Sequence, residues 1–200
     1  MRSPLSLAMC VWLVTIVASV VTSAQSAPPS PVQYDAEGKL RRPTDYREWI
    51  YLSSGVGMTY GPARNDAAPG NFDNVFVNRE AHREFMATGK WPDKTIFILE
   101  IRNPEQHVSI NNGGQTQGAV VAIEAAVKDQ ARFPDAWGYF TFGAAPNLTD
   151  AAAPLPTTAS CYACHKANTA VEQTFVQFYP TLMDVARQKG TVKPTYVDHK

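Results

Sequence analysis

Thr95-Ile96-Phe97-Ile98-Leu99-Glu100-Ile101-Arg102 is the stretch that decides the fold. It is a short run of β-branched, aliphatic and aromatic residues, and it predicts a strand. Side chains alternate along a strand, so Phe97 and Leu99 share one face. A polar stretch follows and runs through Asn112-Gly113-Gly114, a turn signal. Beyond it, Ala119 to Lys128 is ambiguous by composition, because its alanines favour helix and its valines favour strand. We read it as a strand, since Trp137 to Phe142 is a further short aromatic strand that needs neighbours.

Upstream of the deciding stretch, Asn71 to Val77 alternates in part and predicts another strand. Asn78 is placed to cap a helix from Arg79 to Thr88, which Gly89 stops. Ala81, Phe85 and Met86 are spaced for its buried face. Ile50 to Tyr60 reads as a strand bent at Gly55 and Gly57. Before it, Pro43 to Trp49 predicts a short helical turn capped by Thr44. Downstream, Ala144 to Thr158 reads as a loop rich in Ala and Pro. Ser160 to about Gly190 is helical by spacing and is broken in two by Pro180. The expected fold is α+β: an antiparallel sheet of about five strands with a few helices.

The ends of the chain carry a different signal. Arg2 precedes an apolar run from Leu5 to Val21, then small residues to Ser26. This pattern predicts a signal peptide over residues 1–24, and so export to the periplasm. A retained N-terminal membrane anchor is the alternative. Residues 25–43 read as a flexible Pro-rich linker, and residues 44–200 as one domain. Cys10 falls inside the apolar run and is expected to leave with it. The chain of 200 residues carries 18 basic and 18 acidic side chains, so its net charge is zero. That balance speaks against a nucleic-acid partner.

Two cysteines remain, in Cys161-Tyr162-Ala163-Cys164-His165. This is the pattern of c-type haem attachment. On a helix, positions three and four apart share a face, so both thiols and the imidazole can converge on one haem edge. The cysteines would form thioethers to the haem, and His165 would bind its iron. Ser160 is a candidate N-cap for this helix. A redox disulfide, a partial zinc site and chance are the competing readings. The first wants a thioredoxin-like βαβ setting, and the second wants further ligands. The expected cofactor is one covalently attached haem c with its iron, with the motif on a C-terminal helix. A sixth iron ligand is left open among His82, His107, His199, Met58, Met86 and Met183. Asn147-Leu148-Thr149 matches a glycosylation sequon and is read as chance.

Further pieces, in order along the chain, carry a resemblance. They are Tyr46-Arg47-Glu48-Trp49, Phe76-Val77, and Thr88-Gly89-Lys90-Trp91-Pro92-Asp93-Lys94-Thr95. Then come Glu124 to Asp129, Arg132-Phe133, Trp137 to Phe142, Leu155-Pro156-Thr157 and Phe178-Tyr179-Pro180. Around one haem motif near the C-terminus, this order resembles the cytochrome P-460 and cytochrome c′-beta family, from about Tyr46 to Lys193. The resemblance implies a small periplasmic haem protein built on an antiparallel sheet and forming a homodimer. It implies a five-coordinate iron whose distal face is open to small ligands. In the hydroxylamine-oxidising branch, a lysine on the strand after an Asp-Gly-Thr turn, just before a glutamate, is bonded to the haem ring. Here the turn is Asp93-Lys94-Thr95, and the corresponding position is Leu99. Leucine cannot form that bond.

With that bond ruled out, the resemblance points to the crosslink-free branch, cytochrome c′-beta, and implies first a protein that binds or handles nitric oxide or a related small nitrogen ligand. Oxidation of hydroxylamine and electron transfer, with a redox partner protein, are the alternatives. Phe76, Phe97 and Leu99 are the expected apolar pocket residues, and filling the core is their competing role. An oxidase would also need a carboxylate in the pocket to move protons. Asp150, Glu100 and Glu124 are the acids considered for it.

Overall fold

A computed structural model describes residues 30–59 and 70–198. The expected signal peptide, Cys10 and His199 lie outside these residues. Seven strands and three α-helices are described: β1 (Leu40–Arg41), β2 (Ile50–Val56), β3 (Phe72–Val77), α1 (Arg79–Thr88), β4 (Ile96–Glu105), β5 (Thr116–Lys128), β6 (Trp137–Ala144), β7 (Ala151–Ala152), α2 (Ser160–Asn168) and α3 (Pro180–Lys189). Strands β2 to β6 form one antiparallel sheet in chain order, and β1 pairs with β7 beside it. The fold is α+β, as the sequence predicts.

The deciding stretch forms β4, the middle strand of the five. Both its faces are covered, which explains why it reads as a nearly continuous apolar run. Phe76, Ile98, Ala125 and Phe140 lie in one row across β3 to β6 and join a core with Leu40, Tyr46 and Phe142. The next row, Val77, Phe97, Ala126 and Tyr139, faces the opposite way, against the helices. There it meets Phe85 and Trp91, and Leu182 and Met183 of α3. Val75, Leu99, Glu124 and Thr141 make a third row, in phase with the second.

The structure differs from the sequence expectation at several points. Residues 30–43 are not a flexible linker: Val32 and Leu40 are buried in the rear core, and β1 lies within this segment. The loop read over Ala144–Thr158 contains β7. Thr44 does not cap the first turn, which follows Asp45. Asn78 precedes α1, but its Oδ1 accepts the N–H of Ile96 and so ties helix to strand. Met86 is 37% exposed and lies off the buried face of α1. Ala159, not Ser160, precedes α2. The helical stretch from Ser160 is interrupted well before Pro180, by a turn after Asn168 and a short 3-10 segment at Val176–Phe178. Pro180 starts α3, where its missing N–H has no partner to lose.

The rear face also buries an acid. Glu100 is 1% exposed and takes hydrogen bonds from Tyr46, Arg47, Asn74 and Arg102. Replacing it leaves those donors without their shared acceptor. Glu100→Ala should lower the unfolding free energy by about 2–3 kcal/mol in urea denaturation. Asp150→Ala, in an exposed pair with Arg42, should leave the urea midpoint unchanged.

Candidate functional site

Helix α2 carries the whole Cys-x-x-Cys-His motif. Its turn brings Cys161, Cys164 and His165 to the wall of a single cavity of about 710 Å³. That volume lies in the usual range for cofactor sites, roughly 300–1,000 Å³. The facing wall components come from the sheet: Val75, Phe97, Leu99, Glu124, Ala126 and Tyr139. Ser53, Ser54, Gly55 and Met58 close one side from β2 and the residues after it. Gln173, Phe175 and Phe178 contribute from the segment after α2.

His165 is oriented by a backbone group. Its Nδ1 lies 2.8 Å from the carbonyl oxygen of Gln173. A carbonyl only accepts, so Nδ1 carries the proton and Nε2 keeps its lone pair. The ring packs against Tyr139 and Phe175, at centroid distances of 4.4 and 4.6 Å. Burial pushes its pKa down, and the Gln173 bond opposes that in part. The neutral imidazole is the form that ligates a metal. Cys161 and Cys164 are not joined in a disulfide. Burial, and then the charge of Glu124, pushes the Cys161 thiol up.

Leu99 and Phe97 both line the cavity, as strand parity requires. Phe76 does not. It sits on the rear face, in edge contact with the rings of Tyr46 and Tyr51. Leu99 pairs with Val75 in the ladder, so the next residue of β3 must point away. Among the candidate sixth ligands, Met58 alone is part of the described wall. Its Sδ occupies the space where residue 55 would carry a side chain, so Gly55 makes room for it. His82 and Met86 are on α1, Met183 is buried in the helix-side core, and His107 is in a turn after β4.

Of the three acids considered, Glu124 reaches the cavity. Glu100 belongs to the rear cluster and Asp150 to an exposed pair. Asp73, which the sequence reading overlooked, is a second acid in the wall. Parity with Val75 would have found it once β3 was in register. Tyr139 was found only as part of a strand, and Gln173 carried no sequence signal. No lysine or arginine is among the described residues lining the cavity. Lys94 pairs with Asp129 at 2.6 Å, and Lys128 with Glu172 at 2.7 Å.

The family model for cytochrome P460 matches residues 43–176, a span that includes the sheet and the Cys-x-x-Cys-His helix. The chain belongs to the cytochrome P460 family. It is therefore a haem-binding cytochrome. No curated protein matches the chain. The cavity suits a cytochrome P460 on chemical grounds: two thiols and an imidazole with a free nitrogen converge on an enclosure that is mostly apolar.

Burial, and then the charge of Asp73, pushes the Glu124 carboxyl above the usual carboxylate range. The folded state thus holds its proton more tightly than the unfolded state. Ionisation then opposes folding, fully above the raised pKa and not at all below the ordinary one. Glu124→Gln should therefore stabilise this cytochrome at neutral pH. Urea denaturation across a pH series should show the gain disappear as pH falls through the usual carboxylate range.

Proposed function

We propose that this cytochrome P460 carries one covalent haem c and uses its open distal face to bind nitric oxide or a related small nitrogen ligand. Cys161 and Cys164 hold the haem as thioethers, and His165 Nε2 binds the iron. When bound, the haem supplies an iron that can take a small ligand and exchange an electron. The chain's own residues do the rest. Gln173 and Tyr139 hold the imidazole. Phe97, Leu99 and Val75 keep part of the cavity wall apolar and limit water there.

The observation that carries this reading is Leu99. It stands in the cavity wall, and the resemblance matches it to the crosslinking lysine of the hydroxylamine-oxidising branch. No described lysine reaches the wall to replace it. An unmodified ring and an apolar side chain favour ligand binding over oxidation.

A second reading is favoured by Glu124 and Asp73. A carboxylate in the wall can accept a proton from a bound substrate, as hydroxylamine oxidation would require. In that reading Glu124 is the base, and electrons leave to a redox partner protein. Electron transfer alone would need a second protein ligand, and Met58 is the side chain placed to be tried. Export to the periplasm and assembly as a homodimer complete the proposal.

The test is the absorption spectrum of haem-loaded protein, oxidised and reduced, before and after nitric oxide. A c-type, high-spin spectrum that shifts with nitric oxide is expected. A strongly red-shifted reduced Soret band, or turnover of hydroxylamine with an electron acceptor, would move the function to oxidation. A low-spin spectrum lost in Met58→Ala would move it to electron transfer. Acidic organic extraction should leave the haem with the protein. It should release the haem from a Cys161→Ala, Cys164→Ala double variant.

A further inference from the structure

His165 Nδ1 makes its hydrogen bond to one atom, the carbonyl oxygen of Gln173. That carbonyl is tied down on both sides. The preceding residue, Glu172, has φ of 50°, a left-handed conformation uncommon for a residue with a side chain. Its carboxylate is bound by Lys128 Nζ at 2.7 Å and by the Trp91 N–H at 3.2 Å. Lys128 is itself buried and also donates to the Trp91 carbonyl. The following residue, Thr174, takes a hydrogen bond from Trp91 Nε1 at 2.9 Å. Gln173 adds two bonds of its own. Its Oε1 accepts from Tyr139 Oη at 3.1 Å, and its Nε2 donates to the Asp135 carbonyl at 3.3 Å.

We propose that Gln173 is the positioning residue of the iron ligand, with Tyr139 and the Lys128–Glu172 pair holding its carbonyl in place. This rests on the reading that His165 binds the iron. A metal-bound imidazole takes its orientation and part of its donor strength from the partner of its other nitrogen. A fixed carbonyl acceptor draws the Nδ1 proton outward, and Nε2 becomes the stronger donor. That favours the oxidised iron and stiffens the iron–nitrogen bond. A partly buried ion pair is weak support for a fold by itself. Its placement directly behind the histidine's partner gives this one a role that stability alone would not require.

The test uses the full haem-loaded chain and two variants. Tyr139→Phe keeps the ring against His165 and removes only the hydroxyl. Gln173→Ala removes both side-chain bonds. The readouts are the iron–histidine stretch in resonance Raman spectra of the reduced protein, and the reduction potential. In both variants the stretch should fall in frequency and the potential should rise, more so in Gln173→Ala. Unchanged frequency and potential in both, with only a lower melting temperature, would overturn the proposal and leave these residues a structural role. Should Gln173→Ala not accumulate as folded protein, the isosteric Tyr139→Phe decides alone. A haem spectrum unchanged in His165→Gly would refute the ligand reading itself, which is a different result from a normal His165 ligand that ignores Gln173.

Discussion

Over Ile96–Ile98 strand β4 is buried on both faces, and the two cores and the cavity are arranged around it. A strand of this kind must serve two interiors with alternate residues. Ile96 and Ile98 fill the rear core, while Phe97 and Leu99 face the helices and the cavity. The ladders on either side then fix every neighbouring residue. Val75 must sit beside Leu99, and Glu124 on its other side. A one-residue slip of β4 would send Leu99 into the rear core and Glu100 into the cavity. Glu100 guards against that slip, because its four donors, Tyr46, Arg47, Asn74 and Arg102, wait on the rear face.

The sheet supplies only one wall, and the motif helix must be held against it. Helix α2 is short and weakly amphipathic in sequence, so its own apolar pattern does little to seat it. The polar turn that follows compensates. Thr169 Oγ1 bonds back to the His165 carbonyl and also to the Glu172 carbonyl. Lys193 Nζ reaches the Lys166 carbonyl and Thr169 Oγ1 from the chain beyond α3. Tyr162 adds an edge contact to Tyr139, and its hydroxyl meets the Leu155 carbonyl. The helix is therefore located by hydrogen bonds and rings at its margins. Its other face is left to the cavity.

What was legible in the sequence follows from the range of the interactions involved. The strands at β3, β4 and β6 and the helix α1 declare themselves by local pattern, because apolar periodicity and a stop glycine are local signals. The parity of Phe97 and Leu99 was readable for the same reason. Phe76 was misplaced because its face depends on the β3–β4 register, which no local pattern reveals. The two-residue strands β1 and β7 are too short to have a period. The extension of β4 through Pro104 looks like a loop in sequence, yet Pro104 sits opposite Gln117 at an irregularity in the ladder. The turn after α2 depends on partners at positions 91, 128 and 139, and a chain met in isolation gives no reason to expect Glu172 in a left-handed conformation.

The two faces of the sheet treat their acids in opposite ways, and this bears on what the cavity admits. On the rear face Glu100 is compensated by Arg47 and Arg102. On the cavity face Glu124 has another acid, Asp73, as its charged neighbour, and no described cation lines the wall. Partly desolvated carboxylates without a cation cost free energy, so the fold gains nothing by placing them there. Groups whose ionisation is disfavoured in this way concentrate where a protein acts on something. Their charge also selects. An arginine or lysine in the wall would draw in anions such as nitrite, whereas acids repel them and leave an uncharged ligand unopposed. Leu99, Val75 and Phe97 add apolar surface that suits such a ligand. The wall therefore favours a small uncharged ligand over an anion, whether that ligand is held or oxidised. The carboxylates are the part of the wall on which those two outcomes would differ.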